Sequence, residues 1–195
     1  MASSDESRQP GAPQFIALTG FMAAGKSTAG RALAWLLKWR FVDLDCEIEC
    51  RSGHSVREIF ALEGESRFRV IESESLRTVL NGSTAPAVIA LGGGTFVQQE
   101  NADLLRKHGV RVAFLELPLE ELLRRCRELA GRSGQNPRPL ADDEETFCAL
   151  YAERLPWYRQ ADLIVNSDDK TPEQIASEIA QALRLRVPAA PGTAF

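Results

Sequence analysis

No apolar run approaches the ~20 residues that a membrane-spanning helix needs, although 44% of the 195 residues are hydrophobic. Histidine is scarce: His54 and His108 are the only two. The four cysteines, Cys46, Cys50, Cys126 and Cys148, show no Cys-x-x-Cys spacing. A zinc site therefore has no usual ligand set, and free thiols in a reducing cytoplasm are the expectation. Positive charge is not in excess: the formal net charge is −4, which argues against general nucleic-acid binding. There is no internal repeat and no inter-domain linker, and the length suits one domain with a sizeable core. The first dozen residues lack the apolar core of a signal peptide and the Arg-rich, acid-poor character of a transit peptide. Residues 1–12 and 186–195 are expected to be disordered tails around one domain at 13–185.

What is present is organised around Phe15 to Thr28. Phe15 to Leu18 reads as a short buried strand. Gly20, Gly25, Lys26 and Ser27 then fit G-x-x-x-x-G-K-[ST], the P-loop. A chain bent round a phosphate must aim backbone N–H groups inward, and glycine lets it come close. The Lys26 ammonium can reach the β- and γ-phosphates, the Ser27 hydroxyl can ligate Mg²⁺, and a helix opening at Lys26 points its positive end at the same anion. Ala29, Leu33, Leu36 and Leu37 share one face of that helix. The competing reading is a Gly-rich turn before an ordinary helix. If Ala23 must adopt positive φ, that costs roughly 1 kcal/mol.

Beyond that helix, Arg40 to Leu44 reads as a second strand ending in Asp43-Leu44-Asp45. Alone, Asp-x-Asp is a common turn or N-cap. Behind a P-loop, one carboxylate can hold Mg²⁺ and the other can orient an acceptor hydroxyl. Ser55 to Glu58 is a capping box opening a short helix with Ile59 and Phe60 inward, punctuated by Gly64. A longer helix carries Phe68, Ile71, Leu76, Val79 and Leu80 on its apolar face. Beside Phe68, Arg69 is either a solvated helical charge or a fork for a carboxylate. Ala87 to Leu91 reads as a buried parallel strand running into Gly92-Gly93-Gly94, either a flexible loop or bare backbone open to a ligand.

Asn101 can cap a short helix holding Leu104 and Leu105. Val110 to Leu117 is a fourth strand. Pro118 at N1 opens a helix with arginines on its outer face. The cluster Arg124, Arg125, Arg127, Arg132 and Arg138 suits a small phosphate-bearing ligand. Gly131 to Leu140 reads as a loop, often a functional lid in such a position. Asp142 can cap the next helix, with Phe147, Leu150 and Tyr151 inward and Arg154 near its end. Asp162 to Val165 is a fifth strand, and Thr171 to Gln174 is a capping box opening the last helix, through Leu183. Alternating strand and helix imply a single α/β domain with a parallel sheet covered on both faces.

Together these motifs resemble the shikimate kinase family from about Phe15 to Leu183. The likeness rests on Gly-Phe-Met-Ala-Ala-Gly-Lys-Ser-Thr, Asp-Leu-Asp at 43 to 45, Ile59-Phe60 before Gly64-Glu65, and Phe68-Arg69 with Glu72. It continues through Ala90-Leu91-Gly92-Gly93-Gly94, Arg138-Pro139-Leu140 and Arg154-Leu155-Pro156-Trp157-Tyr158. The resemblance implies a P-loop kinase fold of the nucleoside monophosphate kinase-like kind. Its five parallel strands would run in order 2-3-1-4-5, flanked by helices, with a lid at about 127–141. It implies γ-phosphoryl transfer from ATP to the 3-hydroxyl of shikimate, a step toward chorismate and the aromatic amino acids.

Position by position, the resemblance implies that Asp45, Arg69, Gly93 and Arg154, with Gly92 and Gly94 beside them, hold shikimate. Ala23, Ala24, Gly25, Lys26, Ser27 and Thr28 would cradle phosphate. Ser27 would bind Mg²⁺ directly and Asp43 through water. Arg125 and Pro172 would flank adenine, with Lys170 in the same loop, and Arg138 would be the lid arginine. Lys26, Asp45 and Arg138 would be the catalytic groups. The implied partners are ATP and shikimate, with no nucleic acid and no membrane, in a cytoplasmic monomer. One departure is a longer stretch between Arg125 and Arg138. The alternatives are a kinase for another small polyhydroxy acid such as gluconate, or a non-catalytic nucleotide-binding module.

Overall fold

Strand β1 (Phe15–Thr19) is buried at every residue, as a strand covered on both faces must be. The computed structural model describes residues 14–82, 85–133 and 143–188, with the backbone alone at 130–133. Around β1 lie β3 (Ala87–Ala90), also wholly buried, and β4 (Arg111–Glu116). The edges are β2 (Arg40–Asp43) and β5 (Leu163–Asn166), each with one fully buried residue, because an edge strand has a neighbour on one side only. All pairings are parallel and the order is β2-β3-β1-β4-β5, as the resemblance implied.

Register positions the functional loops. Leu18 pairs with Ala90, and Ala90 pairs with Asp43. The carboxyl ends of β1, β3 and β2 therefore finish level. Neighbouring strands lie about 4.8 Å apart, so three loops leave the same edge within about 10 Å of one another.

The helix after β1, α1 (Lys26–Leu37), buries Ala29, Leu33 and Leu37 as its spacing predicts, and α7 (Pro172–Ala182) packs along it. Full burial of each such leucine contributes about 1.5–3 kcal/mol. Thr171 caps α7 in a reciprocal capping box with Gln174, with Pro172 at its start. Two further helices, α4 (Gln99–Lys107) and α5 (Leu119–Ser133), follow β3 and β4.

Several local expectations need correction. Leu44 is not the end of a strand: it opens α2 (Leu44–Ser52), so Asp45 sits in a helix's first turn. The weak apolar pattern of α2, with only Leu44 and Ile48 buried, hides it from periodicity. Phe60 does not point into the core. It is 37% exposed and lies against Phe68, ring centroids 4.4 Å apart, across the break at Gly64. That glycine, at φ 79° and ψ 172°, divides α3 (Val56–Gly82) into two arms. Asn101 does not cap α4. The helix starts two residues earlier, and the Asn101 amide is buried, donating to the Thr95 carbonyl at 3.2 Å. The chain at Gly131 to Ser133 is the end of α5, not loop. Pro118 precedes α5 rather than starting it, and its carbonyl accepts from the Leu122 N–H. Asp142 lies outside the described residues; Asp143 caps α6 (Glu144–Tyr158), accepting from the Thr146 N–H at 3.2 Å. Arg138 and residues 134–141 of the expected lid also lie outside the described residues.

Candidate active site

The loop between β1 and α1 has the backbone that its glycines predict. Gly20 has φ 145°, and a Cβ there would stand 2.9 Å from the Leu115 carbonyl, so only glycine fits. Gly25, at φ 86°, is the N-cap of α1. Ala23 does adopt positive φ, at 61°. This is the strained case anticipated from sequence, costing roughly 1 kcal/mol, and it sits where strain clusters in binding loops. No side chain caps α1, and its first turn contains no acidic residue. With Ala24 and Thr28 on either side, the loop and helix present backbone donors and a positive dipole end together. The Lys26 ammonium donates to the Gly20 and Phe21 carbonyls, both at 2.9 Å, and so lies across the loop.

Ser27 and Asp43 come from different elements and meet: the Ser27 hydroxyl donates to an Asp43 carboxylate oxygen at 2.6 Å. A hydroxyl and one carboxylate, both hard oxygen ligands, fit Mg²⁺, which keeps several waters and takes its remaining ligands from phosphate. Among the described residues no group of three or more His, Cys, Asp or Glu could hold a metal.

The second half of the site is built against Gly92, Gly93 and Gly94. A Cβ on Gly92 would stand 2.9 Å from an Asp45 carboxylate oxygen and 2.9 Å from a Glu72 carboxylate oxygen. One on Gly93 would meet the Arg154 guanidinium at 3.6 Å, with the Gly20 carbonyl and the Met22 N–H nitrogen within 3.9 Å. One on Gly94 would collide with the Arg69 guanidinium, 2.6 Å from Nη2. The three glycines are thus the surface on which Asp45, Arg69 and Arg154 converge, and Gly93 borders the P-loop itself.

Arg69 is not a solvated helical charge. Its guanidinium donates to Glu72 at 3.0 Å and to Glu65 at 2.9 Å. Burial alone would lower its pKa, but Glu72 and Glu65 hold it above the ordinary arginine value. Glu72 is wholly buried. It also accepts from the Thr95 hydroxyl and from the Gln98 amide, each at 2.6 Å, so both of its oxygens are hydrogen-bonded. Arg154 lies 5.9 Å from the centre of the Phe21 ring. Phe21 is buried edge-on against Phe147 and Tyr151 of α6, which locks the P-loop to the helix that carries Arg154.

The expected nucleotide contacts Arg125, Lys170 and Pro172 come from α5 and from the chain after β5. Arg125 lies on α5 and pairs with Glu121 at 2.6 Å. Lys170 and Pro172 follow the carboxyl end of β5, two strands from β1, and Lys170 pairs with Glu178 at 2.6 Å.

Sequence reasoning gave no role to Glu72, Thr95, Gln98 or Tyr158. The signals were there for two of them. Glu72 stands three residues after Arg69 and Tyr158 four residues after Arg154, spacings that bring helical side chains together. The Tyr158 hydroxyl donates to the Gly93 carbonyl.

The family model for shikimate kinase matches residues 22–184. A shikimate kinase of Geobacter metallireducens is 40% identical over 180 residues, 91% of this chain and 96% of that protein. The structure of an Acinetobacter baumannii shikimate kinase in complex with shikimate superposes with a TM-score of 0.77, at 33% identity over 87% of this chain and 92% of that one. A gluconokinase from Sinorhizobium meliloti, 18% identical with a TM-score of 0.57, shares the fold alone. With a family model spanning nearly all the described residues and a relative matched almost end to end, this chain belongs to the shikimate kinase family.

Proposed function

We propose that this chain transfers the γ-phosphoryl group of ATP to the 3-hydroxyl of shikimate, giving ADP and shikimate 3-phosphate. The observation that carries this reading is the convergence of Asp45, Arg69 and Arg154 on Gly92–Gly94, directly beside the P-loop. Two guanidinium groups suit one carboxylate, and a carboxylate with glycine backbone suits neighbouring hydroxyls.

Phosphoryl transfer asks mainly for alignment and charge neutralisation. The loop from Ala23 to Thr28 holds the phosphates through backbone N–H groups. Lys26 swings its ammonium from the loop carbonyls to the β- and γ-phosphates. Ser27 and Asp43 would hold Mg²⁺, which when bound would supply charge neutralisation for the transferring phosphate. Arg69 and Arg154 grip the acceptor's carboxylate and so fix the ring. Asp45 aligns the hydroxyl, whose oxygen bonds to the γ-phosphorus as the bond to the bridging oxygen breaks. A carboxylate is a weak base for an alcohol, so the hydroxyl proton reaches Asp45 late in the transfer. Arg125, Lys170 and Pro172 are assigned to the adenine side, and Arg138 to the lid.

A coupled ADP-release assay with ATP and Mg²⁺ tests the assignment. Shikimate is expected to support turnover with a kcat/KM at least about a hundredfold above gluconate, because gluconate is an open chain that fails to present carboxylate and hydroxyl at fixed separation. Equal turnover with gluconate, or none with shikimate, contradicts the proposal.

A further inference from the structure

We infer that Tyr158 is a positioning residue for the acceptor pocket: its hydroxyl ties the Gly93–Gly94 peptide and the Arg154 guanidinium into one arrangement. The inference rests on the acceptor reading above.

Three consecutive glycines have no side chains to set their backbone and sample the widest range of conformations. Something outside the loop must select one. Tyr158 is fully buried, and its hydroxyl donates to the Gly93 carbonyl. The Arg154 guanidinium, one helical turn earlier, lies against the same glycine, 3.6 Å from where a Gly93 Cβ would stand, and its charge works against burial on the Tyr158 pKa. A phenol offers one donor, here given to the Gly93 carbonyl, and keeps its lone pairs as acceptors. Phe114 of β4 stacks on the ring at 5.2 Å and 26°, which anchors the hydroxyl to the central sheet.

The consequence for the pocket follows from peptide geometry. In a trans peptide the carbonyl and the following N–H point to opposite sides, and the described chain has no cis bond. Holding the Gly93 carbonyl toward α6 therefore directs the Gly94 N–H away from α6. Losing the hydroxyl frees that peptide to rotate against the Arg154 guanidinium beside it. Burial pushes the Tyr158 pKa up to about 12, so the phenol stays protonated near neutral pH and acts as a fixed donor, not as a proton carrier.

Tyr158→Phe removes one oxygen and keeps the ring stack. Steady-state kinetics should show the KM for shikimate raised about tenfold or more, as for a lost hydrogen bond in a charged site, with kcat lowered and the Kd for ATP within about twofold of wild type. Ile179→Val, a core truncation on α7, serves as the control: it lowers Tm and leaves the shikimate KM unchanged. A wild type inert on shikimate overturns the acceptor reading and this inference with it. An active wild type whose Tyr158→Phe variant keeps the shikimate KM, with only Tm reduced, overturns this inference alone. Should Tyr158→Phe not fold, wild-type chain labelled with 3-fluorotyrosine gives the answer. It has two tyrosines, and Tyr151→Phe assigns them. Saturating shikimate should shift the Tyr158 fluorine resonance; an unmoved resonance contradicts the inference.

Discussion

Lys26 and Asp45 carry different halves of the reaction, and their variants should separate accordingly. Lys26→Ala removes the charge that neutralises the transferring phosphate, and turnover should fall by about a hundredfold or more; a near-normal kcat would mean the loop is not the phosphate site. Asp45→Asn keeps the shape but not the proton acceptor, so kcat should fall about 10²–10⁴-fold while ATP binding measured by calorimetry is retained. Unchanged catalysis would move the acceptor elsewhere. Tyr158 supplies a pH signature as well. Burial raises its pKa from 10 to about 12. The unfolded chain then releases its proton first as pH rises, so the native state loses stability between pH 10 and 12 and gains none below 10. The loss is on the order of 2–3 kcal/mol, and alkaline denaturation of Tyr158→Phe should lack that component. Residue identity at the P-loop was fully legible in the sequence, because its chemistry lies within nine consecutive positions. The buried partners of Arg69 were not. Thr95 and Gln98 reach Glu72 across 23 and 26 residues of chain, a pairing that no local pattern reports.

Among the elements, strongly patterned ones were readable and weakly patterned ones were not. The five strands and α1, α5 and α7 follow from their periodicity and caps. By contrast, α2 has two buried residues in nine, too few to define a face, and it took a strand's end to reveal where Asp45 sits. The joint at Gly64 was legible because glycine interrupts an otherwise helical run. Its conformation, φ 79° and ψ 172°, disfavours any residue with a Cβ. Gly64→Ala should therefore cost about 1–3 kcal/mol and lower Tm by about 2–10 °C in a chain of this size. The space around Gly64 is open, so an unchanged Tm would show that the two arms of α3 adjust freely.

At the scale of the whole molecule, one sheet edge gathers what the sequence scatters. Level strand ends at Leu18, Ala90 and Asp43 bring together a phosphate loop, a carboxylate-bearing helix and a triple-glycine turn, while α3 and α6 deliver Arg69 and Arg154 from separate halves of the chain. Family membership was legible because these motifs keep their order; their distances were not, since sheet order follows from crossovers rather than from spacing. The most direct test is a crystal structure with ADP, Mg²⁺ and shikimate bound. The account predicts the shikimate carboxylate between Arg69 and Arg154, its 3-hydroxyl against Asp45 and facing the ADP β-phosphate on the P-loop. Shikimate bound away from Gly92–Gly94, or turned so that its 3-hydroxyl faces away from the nucleotide, would contradict it.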